Sequence, residues 1–306
     1  MSQQLIYINC PLCGANDNKT IFPSLKISSE KNQQELFNCT NNNLGTYNND
    51  IVKCNKCGMI YSNPQPSQIE LSTLYKNVID YQYLNEVAAR EKTFNLSLKQ
   101  LHKFITPPGK LIDFGCYTGV FMEMAKNKGW TVSGIELSDW ASKIARKKNL
   151  GEVYSKPINE LSLPYKTFDL ITLWDVIEHL ANPKQILENL SKYLKHNGII
   201  AFSTHFIDSF SAKILGKHYP FLMDMHLSHF SGKTIKKMLN DLGFEILKIY
   251  PHKRILRSGY FLDKLSNITP IGGKCISKLN KKKFISERFI RVGLLGLKNI
   301  YCKKIY

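Results

Sequence analysis

Two cysteine pairs and one acid-and-glycine run are the residues here whose types and spacing can do chemistry. Cys10-Pro-Leu-Cys13-Gly and Cys54-Asn-Lys-Cys57-Gly each set two thiols on one side of a tight turn, with a glycine after them to relieve crowding. Four thiolates so arranged are the preferred tetrahedral shell of structural zinc, and they leave no open position for catalysis. The second run is Leu111-Ile-Asp-Phe-Gly-Cys-Tyr-Thr-Gly119, where an apolar stretch ends in Asp113 and a glycine turn opens onto a helical segment from near Val120. The next apolar run, Thr131-Val-Ser-Gly-Ile-Glu136, closes on an acid. Strand, glycine loop, helix, strand, acid is the pattern of a nucleotide-binding βαβ unit. Backbone N–H groups at Gly115 and Gly119 are expected to approach a ligand closely, and Glu136 can accept both hydroxyls of a ribose. A dinucleotide site needs a third glycine beneath its pyrophosphate. The next glycine is Gly129, past the helix, so a ligand without pyrophosphate is expected.

The elements that must position these groups divide the chain into four parts. Residues 1–66 form a small zinc-ribbon-like module, with Asn38 to Asp50 as a loop between the knuckles and Ser62-Asn-Pro-Gln-Pro-Ser67 as a linker. Residues 67–109 read as a helical lid, with Leu71, Leu74, Tyr75, Phe94, Leu98, Leu101 and Phe104 at helical spacing, and Pro107-Pro-Gly109 ends it. Residues 110–250 are the α/β core. Ser138 caps a helix to about Lys148, and Glu152 to Ser155 is a short third strand. The near-continuous apolarity of Phe168 to Trp174 marks a buried parallel strand. Asn182-Pro183 starts a one-sided helix ending near Gly198. Gly198 to Thr204 and Phe244 to Tyr250 are the fifth and sixth strands. Residues 251–306 form a basic, mostly helical insertion followed by a final strand, Asn299 to Ile305.

Leu111 to Glu136 resembles the cofactor-binding core of class I S-adenosylmethionine-dependent methyltransferases, with Tyr117 standing where a middle glycine is usual. Trp174-Asp-Val-Ile-Glu-His179 with Asn182-Pro183 is similar to that family's fourth-strand motif, and His226-Leu-x-x-Phe-Ser231 to a later one. The resemblance implies a Rossmann-like seven-stranded sheet whose last strand is antiparallel. Under it, Asp113 would orient the methionine amino end, and Gly115, Cys116 and Gly119 would supply backbone contacts. Glu136 would hold the ribose, Leu137 and Ile158 would lie against the nucleoside, and Trp174 and Asp175 would floor the methionine pocket. Tyr81 or Tyr83 would reach the cofactor from the lid. The knuckles, the Asn-Pro-Gln-Pro step and the tyrosine-bearing lid together resemble a zinc-carrying subgroup that acts on sugars and surface-glycan precursors. Its chemistry is in-line methyl displacement, dominated by orientation. A hydroxyl acceptor gains from a base, for which His179, His226 and His229 are the candidates. Asp224 with His226 and His229 is an alternative metal group.

The chain has 306 residues and a formal charge of +18. From Pro251 to Tyr306, fourteen Lys or Arg face only Asp263 and Glu287, which concentrates two-thirds of the excess there. Such a patch suits phosphate or an anionic membrane surface, and Ile285, Phe289, Ile290, Leu294 and Leu297 could give a basic amphipathic helix. Eight cysteines are too sparse for a disulfide scaffold, no run reaches membrane-spanning length, and the amino terminus does not read as a secretory signal. A cytoplasmic enzyme, able to lie on the inner face of a membrane, is therefore expected. Its expected acceptor is a small, lipid-linked or nucleotide-linked sugar. RNA methylation is the alternative, disfavoured because residues 1–66 lack basic–aromatic interleaving, and a non-catalytic scaffold is the third.

Overall fold

Seven strands run through the molecule in one sheet, and the glycine turn and its acids lie at the carboxyl edge of that sheet. The structure, a computed structural model, describes residues 5–25, 36–41, 43–268, 286–293 and 296–305. The chain begins with β1 (Leu5–Ile6), β2 (Asn18–Phe22), β3 (Ile51–Cys54), β4 (Ile60–Ser62) and β5 (Gln65–Pro66). Helices α1 (Gln68–Lys76), α2 (Tyr81–Asn85) and α3 (Val87–Leu101) follow. Next come β6 (Gly109–Phe114), α4 (Val120–Lys126), β7 (Trp130–Ile135), α5 (Asp139–Lys147) and β8 (Val153–Tyr154). The core continues with β9 (Phe168–Leu173), α6 (Pro183–Tyr193), β10 (Leu194–His205), α7 (Phe210–Leu215), β11 (Ser228–His229), α8 (Gly232–Asp241) and β12 (Phe244–Pro251). Last are β13 (Arg254–Arg257), α9 (Ser258–Ile268), β14 (Phe289–Val292) and β15 (Leu297–Lys304).

The sheet order is β12-β15-β10-β9-β6-β7-β8. Strands β6 to β10 pair in parallel, and β15 inserts antiparallel between β10 and β12. Alternation along each strand fills two layers. Ile112, Ile171 and Ile200 pack with Leu187 of α6 and Ile235 of α8, while Leu111, Leu170 and Ile199 pack with Leu98 of α3 and Phe121 of α4. Burial on both faces explains the unbroken apolar runs. Ser138, Asn182 and Ser231 accept backbone N–H groups at the starts of α5, α6 and α8, and Pro183 opens the first turn of α6.

Three expectations are corrected. Helix α6 stops at Tyr193, not near Gly198, because Leu194 turns extended (φ −80°, ψ 136°) and pairs with Phe168 as the start of β10. The Ser62–Ser67 step is more than a linker: Ser62, Asn63, Gln65 and Pro66 are buried, and β5 pairs with β1. The amphipathic helix does not form, since Phe289–Val292 is a strand paired with Arg254–Arg257 and Leu297 begins β15. Ile285 and Leu294 lie outside the described residues. Helix α9 is the described helical part of the insertion.

The amino-terminal sheet, ordered β11-β4-β3-β2, takes β11 from the far side of the chain. Cys10, Leu12, Met59 and Tyr61 share one buried cluster with Ile112 and Phe202. The knuckles therefore lie on the main core. Among the described residues no helix is long and apolar enough to cross a membrane.

Candidate functional site

The turn after β6 is tight, and four of its N–H groups are spent internally. Gly115 and Cys116 both donate to Ile135 O, at 2.8 and 3.1 Å, and Gly119 donates to Cys116 O at 2.9 Å. Tyr117 N–H reaches Glu136 Oε2 at 2.9 Å. This differs from the expectation of N–H groups aimed at a ligand, and it leaves these four with nothing to give a pyrophosphate. Tyr117 takes a left-handed backbone (φ +49°), the conformation that a glycine there would adopt without cost. Gly115 (φ +77°) is needed for a second reason: a Cβ would lie 2.6 Å from Val176 Cγ2. Gly115→Ala should cost about 1–3 kcal/mol of stability and splay the turn from the β9 edge; thermal unfolding measures the first effect and ligand titration the second.

Glu136 is fixed by a second bond, from Ser138 N–H to Oε1 at 2.7 Å. Burial raises its pKa to about 7, although the N–H groups of Ser138, Tyr117 and Leu137 favour the carboxylate. Asp113 is likewise raised to about 7 by burial, against the Thr172 hydroxyl that donates to it at 2.6 Å. Two acids at one turn, both near neutrality, suit a ligand with hydroxyls and a positive charge. Leu137 follows Glu136, Ile158 is buried in a short 3-10 turn after β8, and Cys116 Sγ lies against Gly134.

An aromatic wall from the lid and α5 faces the turn. Tyr83 packs on Tyr117 with centroids 4.3 Å apart, Tyr117 on Trp140 at 5.9 Å, and the Arg90 guanidinium sits 3.9 Å over Tyr83. Tyr81 is 69% exposed and touches Trp140, so Tyr83 is the lid tyrosine that reaches the turn. Trp174 is buried against Phe121 and Phe94, and its Nε1 has no partner. Asp175 takes a left-handed backbone (φ +55°) and exchanges bonds with Ser203: its N–H donates to Ser203 Oγ, which donates back to Oδ1, each at 2.7 Å. Arg254 pairs with its other oxygen. Burial would lift the Asp175 pKa, yet Arg254, His252, Ser203 and Arg90 overcome this and hold it below the usual range.

Beyond Asp175 a stack of imidazoles runs into the core. His179 Nδ1–H donates to Met225 O at 3.0 Å, with the Tyr75 hydroxyl oxygen 3.1 Å from the same nitrogen. Its ring meets His226 at 4.7 Å, His226 stacks on His205 at 5.0 Å, and His205 Nε2 bonds His229 Nδ1 at 3.1 Å. His226 Nδ1 donates to Phe221 O at 2.8 Å. Burial lowers the pKa of all four, to about 3 for His205, so they are neutral imidazoles near pH 7. His229 belongs to β11 and is fully enclosed behind His205. Glu178, 2% exposed, brings one ligand atom within 4.8 Å of those of His179 and His226, and its Oε2 has no hydrogen-bond partner among the described residues. The group of Asp224 with His226 and His229 does not form, because Asp224 is bound to the backbone and side chain of Asn48.

The four knuckle thiols converge. Cys10 and Cys57 Sγ are 3.5 Å apart, Cys13 and Cys54 Sγ 3.6 Å, and all four lie within 4.8 Å of one another. Tetrahedral zinc with Zn–S near 2.3 Å needs S···S of about 3.8 Å. Gly14 and Gly58 (φ +72° and +77°) donate back to Cys10 O and Cys54 O, closing each turn. The donor set and spacing fit structural zinc.

A family profile described as a methyltransferase domain matches residues 84–249, more than half of the chain. The chain belongs to the methyltransferase-domain family. Ubiquinone biosynthesis O-methyltransferase of Actinobacillus pleuropneumoniae is 28% identical over 139 residues, 42% of this chain and 59% of that protein. The Coxiella burnetii protein of the same name is 31% identical over 113 residues, 35% and 48% of the two chains. The chain thus covers about half to three-fifths of the length of these curated relatives. A SAM-dependent methyltransferase from Archaeoglobus fulgidus superposes with a TM-score of 0.50 at 20% identity, over 74% of this chain and all of that one. The seven-stranded fold is therefore the class I methyltransferase fold. The matched span of the methyltransferase domain opens inside α2 and so includes Arg90. Reading the sequence missed this residue, because a lone arginine on a helix gives no sign of the ring it lies over.

Proposed function

We propose that this methyltransferase-domain protein moves a methyl group from S-adenosylmethionine to a hydroxyl of a small or carrier-linked acceptor. The observation that carries this is the closed turn with Glu136 locked beside it. With four of its N–H groups consumed, the turn suits a nucleoside bearing a cationic tail better than a pyrophosphate. Once bound, S-adenosylmethionine supplies an electrophilic methyl on a sulfonium. Glu136 accepts the ribose hydroxyls, Leu137 and Ile158 flank the adenine, and Asp113 holds the methionine amino group. Gly115, Cys116 and Gly119 form the backbone against which the ligand lies, and Trp174 floors the pocket. Arg90, which lies over Tyr83 and makes no ion pair among the described residues, offers a counter-charge to the methionine carboxylate. Asp175 holds Arg254. His179 and His226 are the candidate bases, with His229 behind them; a neutral imidazole can take the hydroxyl proton as the methyl transfers. The four thiols hold structural zinc. A sugar of a surface glycan is the acceptor we favour, on the resemblance to the zinc-carrying subgroup. Transfer of labelled methyl into nucleotide-sugar and lipid-linked pools tests it, and label in a quinone precursor alone would overturn the sugar.

Ionised Glu136 is the better acceptor for ribose hydroxyls, so binding draws off a proton. Since its pKa is near 7, affinity for S-adenosylmethionine should fall as pH drops below 7, by up to about tenfold per unit. Titration calorimetry in buffers of different ionisation heat would detect the proton release; a flat affinity from pH 8 to 5.5 would count against ribose binding by Glu136.

A second reading is favoured by Glu178, His179 and His226. Two neutral imidazoles and a buried carboxylate with a vacant oxygen are a borderline N/N/O donor set, suited to zinc, manganese or iron. A divalent ion there would polarise the acceptor hydroxyl. Activity that is lost to a chelator and restored by metal, with the four thiols still loaded, would select this reading over a simple histidine base.

A further inference from the structure

A cavity of about 300 Å³ opens between α3, the carboxyl end of β12 and the amino end of β15. Lys99, Lys103, Lys253 and Arg291 line it, and no acidic residue does. None of the four makes an ion pair among the described residues. Gln100 adds a neutral donor. Its Oε1 is held by Asn299 Nδ2 at 3.0 Å and Tyr301 OH at 3.1 Å, which leaves its amide N–H groups for the cavity. Four unpaired cations in one concavity repel each other, and an anion entering it would relieve that repulsion.

Its position relates it to the methyl-transfer site. Asn299 on the cavity wall is the register partner of Ser203, the residue that exchanges bonds with Asp175. From β9 through β10 to β15 is two strand spacings, about 10 Å, on the sheet edge where ligands gather in open α/β folds. We propose that this cavity receives the phosphate or diphosphate of a carrier-linked acceptor whose hydroxyl lies beside Asp175. The place of the acceptor rests on the methyl-transfer reading; anion binding by the cavity does not.

Calorimetry with inorganic pyrophosphate and with uridine diphosphate tests the proposal on the full chain and on the double variant Lys253→Glu/Arg291→Glu. Wild type should bind both, more weakly as salt rises. The double variant should lose at least about tenfold in affinity, while its heat with S-adenosylmethionine, which also certifies folding, stays unchanged. Equal binding by the two proteins, or no binding by wild type, overturns the proposal. So does single-stranded RNA that binds in a variant-sensitive way where pyrophosphate does not, which would make the patch a nucleic-acid surface. Variant-sensitive pyrophosphate binding without any S-adenosylmethionine heat upholds the cavity and removes the methyl-transfer reading.

Discussion

Replacing Cys10 and Cys54 together by serine should unfold the amino-terminal sheet. Each knuckle then loses one of its two thiolates, and two serine hydroxyls cannot complete a tetrahedral soft-donor shell. Structural zinc contributes on the order of 10 kcal/mol to modules of this kind, comparable to the whole stability of a typical domain. The loss cannot stay local, since Met59 and Tyr61 share a buried cluster with Ile112 and Phe202 of the main sheet. Metal analysis should show bound zinc falling from one equivalent to none, accompanied by a collapse of thermal stability. A double variant that kept its melting temperature would show the four thiols to be packing groups that hold no metal.

The second large effect is on rate. His179→Ala removes the imidazole that lies between Tyr75 and His226. If His179 is the base, or orients the group that is, kcat should fall about 10²–10⁴-fold. Binding of S-adenosylmethionine should hardly change, because its proposed contacts lie at the ends of β6 to β9 and on α3, and none is a histidine of the stack. His226→Ala should fall similarly and the two losses should not add, as is usual for residues acting as one unit. A kcat within a few-fold of wild type in both variants would leave orientation as the whole of catalysis. Glu178→Gln separates the two readings. It keeps the shape but gives up the ligand charge, so it abolishes metal rescue where a metal acts and has a smaller effect where histidine acts alone.

The sheet was legible because its strands are buried on both faces and its helices carry explicit caps. Ser138, Asn182 with Pro183, and Ser231 each mark a helix start that the structure reproduces. Proximity was legible where it depends on local spacing: Glu136 does meet the turn after Asp113, and the four knuckle thiols do converge. It was less so where side chains meet through the fold. Nothing local shows that Gly115 and Cys116 N–H groups close onto Ile135, or that Asp224 turns to Asn48, 176 positions away. His205 ends β10, but its place in the imidazole stack depends on the segment that carries His226 and His229. Phe289 to Val292 alternates in a way that admits helix or strand, and pairing with Arg254–Arg257 decides it.

The borrowed strand β11 has a practical consequence. Ser228–His229 forms the edge of the sheet begun by β2, β3 and β4, and it belongs to the same short segment as His226. A protein cut before α1 would retain the histidines but lose the partner strand that holds them in register, and the ring stack would drift. The first 66 residues are therefore better regarded as a brace for the imidazole stack than as a separate attachment, and deleting them should abolish methyl transfer even where the remaining chain stays in solution.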